Sequence, residues 1–255
     1  MRLVYDMNNA KIYQGDARQM DVLQDGSVHL CITSPPYYNA RDYSQWGSYQ
    51  EYLDDMAEAW RECCRVLCDG GRIAVNVPQG YGRCGQGGYI SIGDHTTQAL
   101  VSAGFTLRGH IVWVKGNDNT PTNANGTAWG SWMSASNPSL RDCHELIIVA
   151  SKGSLGRDAG QSTISREDFL TCTRSVWSIR PRQHSWHPAP FPAELPRRLI
   201  QLYSYAGDVV LDPFAGSCTT VWVAAENGRQ GIGIEKSSTY IEQACGPMFL
   251  QERKR

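Results

Sequence analysis

The chain has 255 residues, 41% of them apolar and 19% charged, with a formal net charge of −1. These bounds fit one large α/β domain with a full core, and they exclude a protein that holds nucleic acid by bulk positive charge; any such contact needs a local basic face. No basic leader with an apolar run and no membrane-length apolar stretch is present, and the nine cysteines lack disulfide or zinc spacing, so a cytoplasmic protein with reduced thiols and no metal is expected.

Val28 to Thr33 is a short apolar run stopped by Ser34-Pro35-Pro36, which predicts a buried strand. Leu53, Met56, Trp60, Cys64 and Leu67 recur at helical spacing, with Gly70-Gly71 as the expected stop. Ile73 to Val77 predicts the next strand, Thr97 to Ala103 a helix ending at Gly104, and Leu107 to Val114 and Glu145 to Ala150 two more strands. Between these last two lies an irregular loop, 116–141, rich in Asn, Thr, Gly and Ser; a loop of that length in a compact domain usually carries function. A second low-periodicity segment, 151–182, carries Lys152 and several arginines. Pattern returns with a helix over Glu194 to Tyr205, strand Val209 to Leu211, a turn, a helix over Thr219 to Glu226, and strand Gly231 to Ile234 ending at Glu235. Alternating strands and helices imply a doubly wound, mostly parallel sheet, with ligands at the carboxyl ends of the strands. The expected organisation is one structural domain, with a catalytic half over 1–150, a short recognition segment over 151–182 and a cofactor-binding half over 183–255.

Two turns carry chemistry. After Val209 to Leu211, the run Asp212 to Thr220 is a strand-to-helix turn in which Gly216 admits close backbone approach and the helix start offers amides to an anion. Glu235, at the end of the following strand, is suited to the hydroxyls of a ribose. Alone these say only that a nucleoside-containing cofactor fits; a dinucleotide site would want three spaced glycines. The second turn, Ser34-Pro35-Pro36-Tyr37, removes two amide donors and leaves acceptors beside an aromatic plane, which matches a planar ring bearing an amino group.

Together these segments resemble the β-type amino-methylating DNA methyltransferases, in which the Pro-Pro-Tyr motif precedes the cofactor motif. Ser34 to Tyr37 resembles the catalytic motif, and Asp212 to Thr220 the turn Asp-Pro-Phe-x-Gly-Ser-Gly-Thr-Thr. His187 to Leu195 is similar to the motif just upstream, Gly15-Asp16-Ala17 to the Gly-Asp turn near the cofactor adenine, and Ile111 to Lys115 with Arg141 to Lys152 to the paired late strands. The resemblance implies a Rossmann-like fold with circularly permuted motif order and S-adenosylmethionine as cofactor. Its site would be formed by Asp16, Ala17, Thr33, His187, Pro188, Phe191, Asp212, Pro213, Phe214, Gly216, Ser217, Thr219, Thr220 and Glu235, with Ser34, Pro35, Pro36 and Tyr37 catalytic. Cys218 replaces the family's second glycine and is expected to fit with right-handed helical angles.

In this family Ser before Pro-Pro more often accompanies methylation of the 4-amino group of cytosine, and Asp or Asn the 6-amino group of adenine. Ser34 therefore favours cytosine, with adenine as the alternative. Carbon-5 methylation is disfavoured because no Pro-Cys pair occurs. Double-stranded DNA is the implied partner, contacted through Arg41, Lys115, Trp132, Arg141, Lys152, Arg174 and Arg182. A homodimer and a paired restriction enzyme stay open as further partners. A silent DNA-binding module, an RNA or protein-amide methyltransferase and an oxidoreductase fit the motifs or their order less well.

Overall fold

The computed structural model describes residues 1–39, 45–82, 88–115, 130–140, 142–158, 160–181 and 191–252. The chain begins with a hairpin, β1 (Arg2–Met7) and β2 (Ala10–Gln14), closed by Asn8 and Asn9. Both asparagines have positive φ, 52° and 62°, the backbone that a tight two-residue hairpin demands. Next come β3 (Val28–Thr33), α1 (Tyr49–Val66), β4 (Leu67–Pro78), a small ladder of β5 (Tyr81–Gly82) with β6 (Tyr89–Ile90), α2 (Ile92–Ser102), β7 (Phe105–Val114) and β8 (His144–Lys152). The last part holds α3 (Arg166–Cys172), β9 (Val176–Ser178), α4 (Glu194–Tyr203), β10 (Val209–Asp212), α5 (Thr219–Glu226), β11 (Gln230–Glu235) and α6 (Ser238–Glu252).

Nine strands form one sheet in the order β1-β2-β11-β10-β3-β4-β8-β7-β9, and only β1 and β8 run against the rest. The expected doubly wound, mostly parallel α/β architecture is present. Its core obeys the two-residue period of buried strands. Ile73, Val75 and Val77 of β4, with Leu146, Ile148 and Ala150 of β8, face α1 and α2; Ala74, Ile147 and Val149 face the side of α3, α4 and α5. Helix α1 follows from its apolar stripe: Tyr52, Met56, Ala59, Trp60, Cys63 and Val66 are buried, and Ser48 caps the first turn by accepting from the Glu51 amide.

One expectation is corrected here. Gly70-Gly71 does not stop α1, which ends at Val66 and passes directly into β4; Gly70 instead bends the strand at φ +70°, where a Cβ would strike the Gly156 carbonyl. Segment 151–182, expected as a short recognition segment of low periodicity, contains regular structure. It supplies α3, which packs on α4, and β9, which extends the sheet beside β7; Trp177 is buried there and donates to the Cys172 carbonyl. Elements of seven and three residues are too short to show a period. Among the described residues no helix is long and apolar enough to cross a membrane, no His, Cys, Asp or Glu cluster could hold a metal, and the described cysteines are free.

Candidate active site

Strands β3 and β10 lie side by side at the centre of the sheet. From β3 the chain crosses through α1 to β4 on one side; from β10 it crosses through α5 to β11 on the other. This is the switch point of the strand order, where the carboxyl ends of a doubly wound sheet open a crevice. The Ser34 to Tyr37 turn and the Pro213 to Cys218 turn leave adjacent strands at that point. Thr33 and Asp212, the last residues of the two strands, are both buried, and Thr33 Oγ1 donates to Asp212 Oδ1 at 2.7 Å.

Asp212 shapes its own turn. Beyond Thr33 it accepts from the Phe214 amide at 3.1 Å and from Thr220 Oγ1 at 2.8 Å, so its oxygens are consumed inside the protein. Burial outweighs these three bonds and lifts the carboxyl to about 6, with Glu235 pushing the same way. Glu235 is held by two backbone amides, Gly216 at 2.8 Å on one oxygen and Ser237 at 2.8 Å on the other, and its pKa is raised, mainly by burial. Each oxygen keeps a second lone pair, which is what a ribose hydroxyl requires. Ser217 Oγ meets Thr219 Oγ1 at 2.9 Å, and no side chain caps the first amides of α5. Pro213 is buried, half-buried Phe214 packs edge-on against Trp60 at 6.1 Å, and Phe191 packs against the α4 side of the core.

The residue at Cys218 departs from expectation. It adopts φ 58° and ψ 22°, the left-handed region, and so does Gly216 at φ 48°. The family's glycine is thus replaced at a position where the backbone favours glycine, and the thiol is fully buried between β1, β2 and α6.

At the end of β2, Ala17 is buried and Asp16 is gripped by Arg18, whose Nε and Nη2 donate at 3.0 and 2.8 Å. That hydrogen bonding holds the Asp16 carboxyl down at about 2. Arg18 continues to Asp55 at 2.5 Å, and Asp55 accepts from Trp46 Nε1 at 3.0 Å, which ties this corner to α1.

Around the Pro-Pro turn the structure assembles a polar group that sequence reasoning missed. Ser34 Oγ lies 3.0 Å from the Tyr37 hydroxyl. That hydroxyl donates to Glu145 Oε2 at 3.4 Å, and Asn76 Nδ2 donates to the same oxygen at 2.6 Å and to the Tyr37 oxygen at 3.4 Å. Lys115 pairs with the other Glu145 oxygen. The five side chains come from the ends of β3, β4 and β7 and the start of antiparallel β8, all on one rim. A readable signal existed: Asn76 interrupts the apolar run Ile73 to Val77 of β4, and a polar residue only 3% exposed needs a partner.

Lys115, expected to face DNA, instead has Glu145 as partner and the Trp113 ring 4.5 Å away. Lys152 is likewise corrected: it lies at the opposite end of the sheet, beside the start of β4 and β7, and Nζ donates to the Arg65 and Leu67 carbonyls at 3.2 and 2.6 Å. It closes the end of α1 rather than reaching the rim. Trp132 is exposed, in a bend bridged by Gly130 and Pro138, and Arg174 is exposed in the turn before β9. Arg41, Arg141, Arg182, His187 and Pro188 lie outside the described residues.

A family profile described as DNA methylase, covering amino-methylating N6/N4 enzymes, matches residues 28–245. The chain belongs to this family. Among curated relatives it is 29% identical to the Type II beta methyltransferase M.BslI of Bacillus sp. (strain NEB-606), over 94% of this chain but 28% of that longer protein. It is also 29% identical to the Type II methyltransferase M.MjaI of Methanocaldococcus jannaschii, over 96% of this chain and 91% of that one. Among solved structures, TTHA0409 from Thermus thermophilus, complexed with S-adenosyl-L-methionine, superposes with a TM-score of 0.74 at 30% identity, covering 92% of this chain and 91% of that chain. The PvuII cytosine-N4-specific DNA methyltransferase shares the fold, with a TM-score of 0.74 at 21% identity, over 92% of this chain and 84% of that one. The Rossmann-like methyltransferase architecture of the family and the order of its two turns, Pro-Pro-Tyr first, are those of this chain.

Proposed function

We propose that this member of the DNA methylase family transfers a methyl group from S-adenosylmethionine to the 4-amino group of a flipped cytosine in duplex DNA. The observation that carries the reading is the meeting of the Ser34 turn and the Asp212 turn at the switch point, joined by the Thr33–Asp212 bond. One turn suits a nucleoside cofactor; the other suits an amine-bearing ring.

The donor set fits the cofactor. Glu235, aimed by the Gly216 and Ser237 amides, would hold the ribose. The start of α5 with Ser217 and Thr219 would receive the amino-acid carboxylate, supported by Phe191 and by His187 and Pro188 from the preceding motif. Asp16, Ala17, Phe214, Pro213 and the strand end at Thr33 would frame the remainder. When bound, the cofactor supplies an electrophilic methyl on a sulfonium centre. The protein's own task is to prepare the amine, whose lone pair is conjugated into the ring. Ser34 Oγ accepts an N–H and favours the pyramidal nitrogen, while Tyr37 supports the extruded ring and Pro35 and Pro36 fix the turn. The neutral hydroxyl of Ser34, where adenine enzymes of the family more often place Asp or Asn, supports cytosine over adenine.

The setting is the cytoplasm, where the DNA is. The relatives named Type II methyltransferases support a restriction endonuclease of matching specificity as counterpart. The test is incubation with labelled S-adenosylmethionine and unmethylated DNA, then digestion to nucleosides. N4-methylcytosine is expected; N6-methyladenine alone would overturn the base assignment, and no label in DNA would overturn the reading.

A further inference from the structure

We propose that Glu145 is a positioning residue that sets the direction of the hydrogen-bond chain behind the catalytic serine, so that Ser34 meets the target amine as an acceptor. The proposal rests on the reading of Ser34 given above and deepens it. A hydroxyl can donate or accept, and the 3.0 Å contact between Ser34 Oγ and the Tyr37 hydroxyl does not by itself say which does what. A serine whose hydrogen points at the amine would set donor against donor, and the methyl transfer would lose its acceptor.

Glu145 resolves the ambiguity from behind. Its carboxylate, paired with Lys115 on one oxygen, offers only lone pairs on the other. Contact with Tyr37 therefore requires the tyrosine hydrogen to point at Glu145 Oε2. Asn76 Nδ2 reinforces this polarity, because it donates both to that carboxylate oxygen and to the Tyr37 oxygen and cannot accept from either. With its single hydrogen committed to Glu145, Tyr37 can only accept from Ser34. The serine hydrogen is then spent on Tyr37, and both lone pairs of Oγ stay available to accept. Glu145 and Asn76 are mostly shielded from water, which strengthens the effect of a fixed charge on the chain.

The test compares methylation rates at saturating cofactor and unmethylated bulk DNA. The reference is Lys115→Met, in which the Glu145 carboxylate is kept. Adding Glu145→Met removes the carboxylate without leaving a lone buried charge. The rate is expected to fall by about 10- to 100-fold, the range seen when a partner that orients a contacting group is lost. Cofactor affinity should stay within roughly twofold, since the chain never touches that turn. Tyr37→Phe on the Lys115→Met background cuts the same chain and should cost a similar factor. Combining it with the Glu145→Met change should cost less than about threefold more, because residues acting in one chain are not additive. A Glu145→Met rate equal to the reference, or losses that multiply, would overturn the proposal. Glu145→Gln covers failure of the methionine pair to fold. On the Lys115→Met background its amide can turn its NH2 away and keep its oxygen on Asn76 and Tyr37, so a rate near the reference is expected, and a loss as large as that of Tyr37→Phe would overturn the proposal. Ser34→Ala separates the two levels. If it keeps the wild-type rate, the serine reading falls; if it is slow, the outcomes above bear on Glu145 alone.

Discussion

Cys218 offers a test in which two substitutions at one position are compared. At right-handed helical angles, Cys218→Gly would be less stable than Cys218→Ala by about 0.5–1 kcal/mol, the ordinary backbone-entropy cost of glycine. At the observed φ of 58° the balance shifts toward glycine. A residue with a Cβ in the left-handed region costs about 1–2 kcal/mol, and only glycine relieves it. Both variants lose the same buried sulfur, packed near Tyr5, Ile12, Val221 and Ile241, and that loss cancels to first order in the comparison. The remainder of the Cβ is a small apolar term of about 0.8 kcal/mol in favour of alanine. With the entropy cost of glycine included, the sum leaves the two variants within about 1 kcal/mol of each other, where a right-handed residue would put glycine about 1–2 kcal/mol below. The assay is urea unfolding of both variants without cofactor, read at two wavelengths to check for two-state behaviour. An alanine variant more stable than the glycine variant by more than about 1 kcal/mol would refute the left-handed assignment and the strain derived from it.

Glu235→Ala should weaken S-adenosylmethionine binding by about tenfold or more, since charge-assisted hydrogen bonds contribute about 1.5–3 kcal/mol; calorimetry showing unchanged affinity would remove Glu235 from the site. Asp212 and Asp16 act on stability with opposite signs. Asp212, lifted from 3.8 to about 6, makes the folded state hold its proton more tightly, so stability falls as pH rises through that window, and Asp212→Asn should flatten that limb. Asp16, lowered from 3.8 to about 2, contributes stability that is present above the first value and lost as pH falls toward the second; a melt series in which Asp16→Asn keeps that acid limb would contradict the Arg18 grip. Lys152→Met should lower the melting temperature, with about 1 kcal/mol lost at the end of α1, while the salt dependence of DNA binding stays as in the wild type; a reduced slope would restore Lys152 to the interface. A mismatched target base should bind tighter than a paired one, with a gain reduced by Tyr37→Ala, and equal affinities at one salt concentration would mean that the base is not extruded.

The parts of this fold that were legible share one property: their signal is local. The run Val28 to Thr33 before two prolines, the turn from Asp212 into α5, and the acidic end of β11 all carry chemistry within a dozen neighbouring residues. Residues 2–14 carried a local signal as well, in the Asn8-Asn9 pair between two strand-like runs, but one strand is half exposed and its apolar alternation is faint. The Glu145 group was out of reach for a different reason. Tyr37 and Glu145 are 108 positions apart and Asn76 and Glu145 are 69, so only the register of β4 against β8 brings them together. The placement of Lys152 was misread because a cation in an irregular segment looks like a DNA contact until its carbonyl partners are seen. Cys218 was misread because a backbone angle is not written in the residue that tolerates it.

The pairing of β3 with β10 also sets the order in which the molecule can assemble. These neighbours at the centre of the sheet are joined by a bond between residues 179 positions apart. Until β10 has left the ribosome, β3 has an apolar edge with nothing beside it, and the β1–β2 hairpin has no attachment to the sheet, since β2 pairs with β11. Long-range parallel pairing of this kind closes late and slowly, and an unpaired apolar edge is open to other chains meanwhile. A nascent or truncated chain ending before Val209 should therefore need protection from aggregation, and the native sheet should gain its hairpin and its centre in one cooperative closing step.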